Sequence, residues 1–118
     1  SSNICSNQAL CALTAGLYMA AMGPQGLAEA ARQSMAKAHY LAGELCKLPG
    51  VSLKYQGPFF HEFVTVLPQA DTVLAALEEA GILGGLPVEG GVLWCATEKV
   101  PKTELDRAVA IVKEVLAR

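Results

Sequence analysis

The stretch from Ala9 to Met22 contains no charged residue, and Thr14 and Tyr18 carry its only polar side chains. A helix built from it is apolar on every side, so every side has to be covered by other protein. A chain of 118 residues has room for one domain with a modest core. We therefore expect a piece of a larger protein, in which this helix packs against a part that lies outside the sequence.

Composition and charge argue against several classes of partner. The stretch from Ala9 to Met22 spans about 14 residues, fewer than the ~20 that cross a bilayer, and it lacks the cationic leader of a secretory signal. Nine basic and eleven acidic residues leave a net charge of -2 without a basic run. We expect neither nucleic acid nor membrane as a partner. The hydrophobic content of 53% favours a buried protein interface instead.

Four helices are predicted from apolar periodicity and from capping residues. Gly23-Pro24 is expected to separate the first two, because proline suits the first turn of a new helix. The predicted helices are Gln8–Met22 capped by Asn7, Pro24 to about Leu48, Thr72–Ala80 capped by Asp71, and Glu104–Ala117 opened by Pro101 or Thr103.

Three strands are predicted, at Val51–Tyr55, Glu62–Leu67 and Val92–Thr97, and the glycine-rich segment Gly81–Gly91 has room for a short fourth. The order α-α-β-β-α-β-α predicts an α+β domain of two layers, with a sheet of three or four strands and helices on one face. If the strands on either side of the third helix lie parallel, a right-handed crossover joins them. Trp94 and Tyr55 are expected to pack against the sheet.

The cysteines show no pairing pattern. Cys5, Cys11, Cys46 and Cys95 contain no C-x-x-C, and their spacing to His39 and His61 is not that of metal ligands. We expect no disulfide framework and no metal site. Buried free thiols in a reducing cytoplasm are the expected state.

Two motifs resemble one enzyme family. Ser2-Asn3-Ile4-Cys5, followed by a polar residue and Gln8-Ala9-Leu10, resembles the start of the carboxy-terminal domain of glycine dehydrogenase (decarboxylating), the pyridoxal-phosphate-dependent P-protein of the glycine cleavage system. Gly57–Val64 resembles the stretch that leads those enzymes into a strand of their small domain. The resemblance is greatest to subunit 1 of the two-subunit bacterial form. Ser1 and Ser6 stand where the family usually has threonine, and His61 where it often has asparagine.

This resemblance implies the small carboxy-terminal domain of an aspartate-aminotransferase-like (fold type I) enzyme. Residues 1–118 would form that single domain, with residues 1–23 packed against a missing large domain. It also implies a cytoplasmic heterotetramer with subunit 2 that decarboxylates glycine and passes the aminomethyl group to the lipoyl arm of H-protein. The Schiff-base lysine for pyridoxal phosphate would belong to the partner subunit. The chain alone is therefore expected to be inactive.

The resemblance places the amino-terminal motif near the active-site cleft. A helix amino terminus suits an anionic phosphate or carboxylate. The candidate cleft-lining residues are Ser2, Asn3, Cys5, Ser6 and His61. None is expected to be catalytic, because no general base stands beside them. From the residues alone, a helix cap, a small buried thiol and a surface histidine explain the same positions.

Two alternatives remain at this stage. The chain could be the small domain of another pyridoxal-phosphate enzyme of the aminotransferase type, which an arginine clamping a carboxylate would favour. Arg32, Arg107 and Arg118 instead fall on helix surfaces or at the terminus. It could also be a free-standing α+β interaction module, which would not expose an apolar helix at Ala9–Met22.

Overall fold

A computed structural model describes residues 7–118. Their elements, in chain order, are α1 (Gln8–Leu45), β1 (Ser52–Leu53), β2 (Glu62–Val66), α2 (Ala70–Glu79), β3 (Leu86–Val88), β4 (Gly91–Cys95) and α3 (Lys102–Leu116). The chain divides into two compact units, and the boundary follows Arg32 within α1. Among the described residues, no helix is both long and apolar enough to cross a membrane.

The first unit is the amino-terminal part of α1, and it bends at Gly23. The backbone there has φ 67 and ψ 171, a region that only glycine enters without strain. Pro24 follows directly, where its missing N–H is not needed. The predicted break at Gly23-Pro24 is confirmed, although the two helical runs form one continuous element.

The second unit is built on an antiparallel sheet with strand order β1-β2-β4-β3. Because side chains alternate along a strand, Phe63 and Thr65 of β2 share one face with Val92 and Trp94 of β4. All four are buried. The helices cover this face with buried side chains from Gln33 onward: Ala38, Leu41 and Leu45 of α1, Val73 and Leu77 of α2, and Leu105, Ala108, Val112 and Val115 of α3.

The α+β class and the four-stranded sheet agree with the sequence prediction, and β3 is the short strand expected in the glycine-rich segment. The direction of pairing is the main difference. The two strands predicted on either side of the third helix correspond to β2 and β4, and they pair antiparallel, so they form no parallel crossover. The strand that directly follows α2 is β3, which runs parallel to β2 because both pair antiparallel with β4. The strand predicted at Val51–Tyr55 contracts to Ser52–Leu53, and Tyr55 is exposed.

One capping prediction and one burial prediction were wrong. Gln69, with a left-handed backbone at φ 53, occupies the N-cap of α2, and Asp71 lies in the first turn instead. A carboxylate there still interacts favourably with the helix dipole. The thiols of Cys11 and Cys95 are exposed and that of Cys46 is half-buried. Cys11 lies on a helix with no buried neighbour in its unit, and Cys95 points away from the core.

A polar cluster joins α1 to the start of α3. The Tyr40 hydroxyl donates to one oxygen of Asp106 at 2.5 Å, and Lys102 donates to the other at 2.7 Å. The hydrogen bonds that Lys102 donates to Asp106 and Tyr40 raise the pKa of Lys102. This cluster positions the amino-terminal turn of α3 over the buried face of the sheet.

The deepest polar contact of the core predicts a measurable stability change. Trp94 donates its indole N–H to the Thr65 hydroxyl at 2.8 Å, and both side chains are fully enclosed. Thr65→Val leaves that N–H buried without an acceptor, so we expect a loss of ~1–3 kcal/mol in the free energy of unfolding, measured by denaturant titration with circular dichroism. In a Trp94→Phe background the donor is gone, and the same substitution should cost less. An equal cost in both backgrounds would contradict a stabilising hydrogen bond.

Candidate functional site

The Gly57–Val64 motif connects β1 to β2 and is held against α1 by aromatic contacts. The rings of His39 and Phe59 stack with centroids 4.0 Å apart and planes 9° apart. Nε2 of His39 also lies 2.9 Å from the Phe59 carbonyl oxygen. Phe59 in turn contacts Phe63, with centroids 5.3 Å apart. These contacts fix the path of the motif and hence the entry into β2.

A groove of 310 Å³ lies between this motif and the face of the sheet that the helices leave uncovered. Its lining combines the connecting segment with residues of three strands, and Phe63 is the inward-facing residue among them: Leu53, Tyr55, Gly57, Pro58, Phe59, Glu62, Phe63, Val64 and Leu93. Glu62 is the one charged residue that lines the groove. The groove therefore combines mainly apolar side chains with one carboxylate.

The side chains of three polar residues meet where β2 begins and β4 ends. They are His61, Glu62 and Cys95. Glu62 and Cys95 are direct partners in the β2–β4 register, and the backbone N–H of Ala96 donates to the His61 carbonyl at 3.1 Å. One potential ligand atom from each of His61, Glu62 and Cys95 lies within 4.8 Å of the others. Within residues 7–118, the buried Nδ1 of His61 has no hydrogen-bond partner.

The environment of Cys95 suppresses ionisation of its thiol. Partial burial raises the pKa of Cys95 above its ordinary 9.0, and the negative charge of Glu62 raises it further. A thiol held in its protonated form is a poor nucleophile, because the thiolate is the reactive species. Without a cation, Cys95 is therefore poorly suited to nucleophilic catalysis.

The lysines and arginines, all within residues 7–118, lie in surface or hydrogen-bonded settings. Lys37 and Lys54 donate to the backbone carbonyls of Glu98 and Glu89, and the remaining lysines, Lys47, Lys99, Lys102 and Lys113, are exposed. A Schiff-base lysine needs an enclosed setting that tunes the cofactor ring, and these residues do not fit it. Arg32 and Arg107 form ion pairs with acidic residues of their own helices, and Arg118, just after α3, pairs with Glu114 of that helix.

The amino-terminal run of α1, described within its own unit, presents apolar side chains to solvent. Leu10 and Leu17 are 64% and 63% exposed, and Leu13, Tyr18 and Met19 are also exposed. Spacings of three and four residues place Leu10, Leu13 and Leu17 along one side of the helix. An exposed apolar surface of this extent marks an interaction site.

Comparison with known proteins identifies the family. The family model described as glycine cleavage system P-protein matches residues 1–112. The chain belongs to the glycine cleavage system P-protein family. Its resemblance through the amino-terminal and Gly57–Val64 motifs is thereby confirmed.

Relatives of this P-protein chain agree with the family match. A protein of Chlorobium limicola named "Probable glycine dehydrogenase (decarboxylating) subunit 1" is 51% identical over 114 residues, covering 92% of the chain and 26% of the relative. A protein of the same name from Desulfitobacterium hafniense is 45% identical and covers 97% of the chain and 27% of the relative. The chain spans about a quarter of the length of these relatives.

A solved structure extends the agreement to the fold. A crystal structure of a glycine decarboxylase (P-protein) of the glycine cleavage system, in inhibitor-bound form, superposes with a TM-score of 0.86 at 39% sequence identity. The match covers 96% of the chain and 27% of the solved one. The similarity of this P-protein chain therefore extends over nearly its whole length.

The predicted site residues of this P-protein chain have different outcomes. Ser2, Asn3, Cys5 and Ser6 lie outside the described residues. His61 lies at the entrance to β2, half-buried, with its ring edge-on to Phe60 at 4.6 Å. Glu62 and Cys95, whose ligand atoms lie within 4.8 Å of that of His61, were missed as site residues, because spacing in sequence does not show strand pairing. Alternation within β4 could have indicated an outward Cys95, since Trp94 is the inward residue.

The thiol of Cys95 gives a direct test of this local geometry. In the P-protein chain treated with a chelator, alkylation of Cys95 by iodoacetamide should reach half its maximal rate above pH 9.0, because burial and Glu62 both disfavour the thiolate. Peptide mass spectrometry over a pH series follows Cys95 separately. Glu62→Gln should move the midpoint down but leave it above 9.0, since burial is the larger cause. A midpoint at or below 9.0 in the unmodified chain would contradict the described environment.

Proposed function

We propose that this chain is the small carboxy-terminal domain of a glycine dehydrogenase (decarboxylating) subunit 1. Together with a cofactor-bearing subunit 2, the whole enzyme would decarboxylate glycine and transfer the aminomethyl group to the lipoyl arm of H-protein. The observation that supports this most strongly is the 51% identity to a relative with that name across 92% of the chain. The structural match at a TM-score of 0.86 supports it independently.

In this proposal the apolar surface of α1 packs against the large domain of the same subunit. The described residues leave Leu10, Leu13 and Leu17 exposed, and about three quarters of the length of the relatives lies outside the match. A helix without charge from Ala9 to Met22 is suited to burial on several sides. Residues 1–23 are therefore the proposed junction between the two domains.

The proposed catalytic contribution of this chain is to shape the cleft. Pyridoxal phosphate, held by subunit 2, would serve as the electron sink for the reaction. None of the six lysines of this chain is enclosed in a way that fits Schiff-base formation. Ser2, Asn3, Cys5, Ser6 and His61 remain proposed cleft-lining residues, which would orient substrate groups and exclude water. The cytoplasm and a heterotetramer remain the proposed location and assembly.

The chain alone should not catalyse the reaction. We expect no exchange of labelled bicarbonate into glycine by the purified chain with pyridoxal phosphate and H-protein, because it lacks an enclosed lysine for the cofactor. Intact subunit 1 and subunit 2 of Chlorobium limicola, assayed under the same conditions, provide the active reference. Exchange above background by the chain alone would overturn the assignment of the cofactor to the partner subunit.

A chimera tests the domain assignment directly. The matching segment of the Chlorobium limicola subunit 1 is replaced by this chain, and the product is co-expressed with its subunit 2. We expect glycine exchange within about tenfold of the parent enzyme, since a fold retained at 51% identity should dock with small losses. A soluble, folded chimera without exchange activity would contradict the proposed function.

The same chimera tests the α1 interface. Leu13→Glu with Leu17→Glu places two carboxylates on the proposed junction, and each uncompensated polar group buried there costs at least ~2 kcal/mol. We expect activity to fall by roughly tenfold or more. Leu13→Met with Leu17→Met keeps the surface apolar and should retain activity. Equal activity of the two double variants would show that this surface is not buried in the enzyme.

A further inference from the structure

We propose that His61, Glu62 and Cys95 form a binding site for a divalent transition-metal ion of the zinc class, with three protein ligands and an open fourth position. The three residues supply an imidazole nitrogen, a carboxylate oxygen and a sulfur, and their ligand atoms lie within 4.8 Å of one another. This inference does not depend on the proposed function, because it concerns groups that this chain supplies by itself.

The backbone holds two of the ligands in register. Glu62 and Cys95 are direct partners across the β2–β4 pair, so their side chains leave the same face of the sheet side by side. The hydrogen bond from the Ala96 N–H to the His61 carbonyl extends that pairing by one residue. The three positions are therefore fixed by sheet geometry, which is more rigid than a loop.

The distances are compatible with tetrahedral coordination after small side-chain rotations. Zinc binds nitrogen and oxygen at roughly 2.0–2.2 Å and sulfur at about 2.3 Å, which places neighbouring ligand atoms about 3.3–3.8 Å apart. The present separations of up to 4.8 Å require the ligand atoms to approach by about 1 Å. Glu62 and Cys95 are exposed and have room to rotate toward His61.

The histidine supplies a second observation that points to a ligand. Nδ1 of His61 is buried and, within residues 7–118, has no hydrogen-bond partner. A buried polar atom without a partner is unfavourable, and coordination to a cation satisfies it. The edge-on contact with Phe60 at 4.6 Å restricts the orientation of the imidazole ring. An imidazole ring held in this way is oriented for coordination.

The donor set selects the class of metal. Calcium and magnesium prefer sites made of oxygen, whereas a site that combines sulfur, imidazole and carboxylate suits zinc and its neighbours. On binding, the metal–sulfur bond forms as the Cys95 thiol releases its proton to solvent. Three protein ligands leave one position for water or another ligand, which faces solvent beside the groove.

Cobalt(II) is the probe for the test, because its visible and near-ultraviolet absorption reports geometry and thiolate coordination. The full 118-residue chain, treated with a chelator and then dialysed, is titrated with Co²⁺ and afterwards with Zn²⁺. We expect saturation at one equivalent and a thiolate-to-cobalt charge-transfer band. Addition of Zn²⁺ should remove that band, because a site with a thiolate ligand suits Zn²⁺, which then replaces Co²⁺. Circular dichroism monitors the fold throughout.

Variants identify the ligands. Cys95→Ser should abolish the charge-transfer band, and His61→Phe, which keeps a ring of similar size, should weaken Co²⁺ binding by more than the roughly 10- to 100-fold typical of losing an outer-shell partner. Glu62→Gln should weaken it in the same direction. Cys46→Ser removes a half-buried thiol elsewhere on the chain and should leave the band unchanged.

Two outcomes would overturn the proposal. The first is the absence of saturable Co²⁺ binding by the folded chain at micromolar metal. The second is binding whose charge-transfer band survives Cys95→Ser, or disappears in Cys46→Ser, because the metal would then be held by other thiols. If Cys95→Ser alters the circular dichroism spectrum, Cys95→Ala is used instead, provided that its own spectrum is unchanged. A charge-transfer band that survives Cys95→Ala would overturn the proposal in the same way.

Discussion

The register of β2 against β4 is the constraint on which the rest of the second unit depends. Pairing Phe63 with Trp94 and Thr65 with Val92 places four side chains on one face, where the helices bury them. The indole N–H of Trp94 requires an acceptor in that interior, and Thr65 supplies it only in this register. A shift of β4 by one residue against β2 would turn Cys95 toward the core and expose Trp94. Core packing and the hydrogen bond of the buried indole therefore require the same register of β2 against β4.

Local patterns in the sequence were sufficient for most elements but not for their pairing. Alternation predicts β2 and β4, and Gly23-Pro24 predicts the bend in α1, since both signals depend on neighbouring residues alone. The antiparallel direction of β2 and β4 depends on how α2 and β3, which lie between them in the chain, are arranged, and no pattern within either strand contains that arrangement. The start of α2 was misplaced because a backbone turn at Gln69, in a left-handed conformation, replaces the expected side-chain cap. The periodicity of apolar residues still predicted the helix α2, although its first residue was misplaced.

The candidate site shows the same division. His61 was predicted through a family motif, and its position at the entrance to β2 agrees with that motif. Its proximity to Cys95 is a property of tertiary structure, because strand pairing brings together residues that are distant in sequence. The exposed thiol also follows from pairing, since Trp94 takes the inward position and leaves Cys95 on the outer face. Resemblance and folding physics thus identify different members of one cluster.

The bend at Gly23 has a consequence for how this gene tolerates change. A single-base substitution that changes the meaning of a glycine codon gives only a residue that carries a Cβ atom or a stop. At φ 67 and ψ 171 each of those residues is strained whatever space surrounds it. Gly16 on the same helix has ordinary helical backbone angles, which an alanine adopts without strain. Two glycines seven positions apart thus differ in the substitutions that their backbone conformations allow, and the difference arises from one pair of backbone angles.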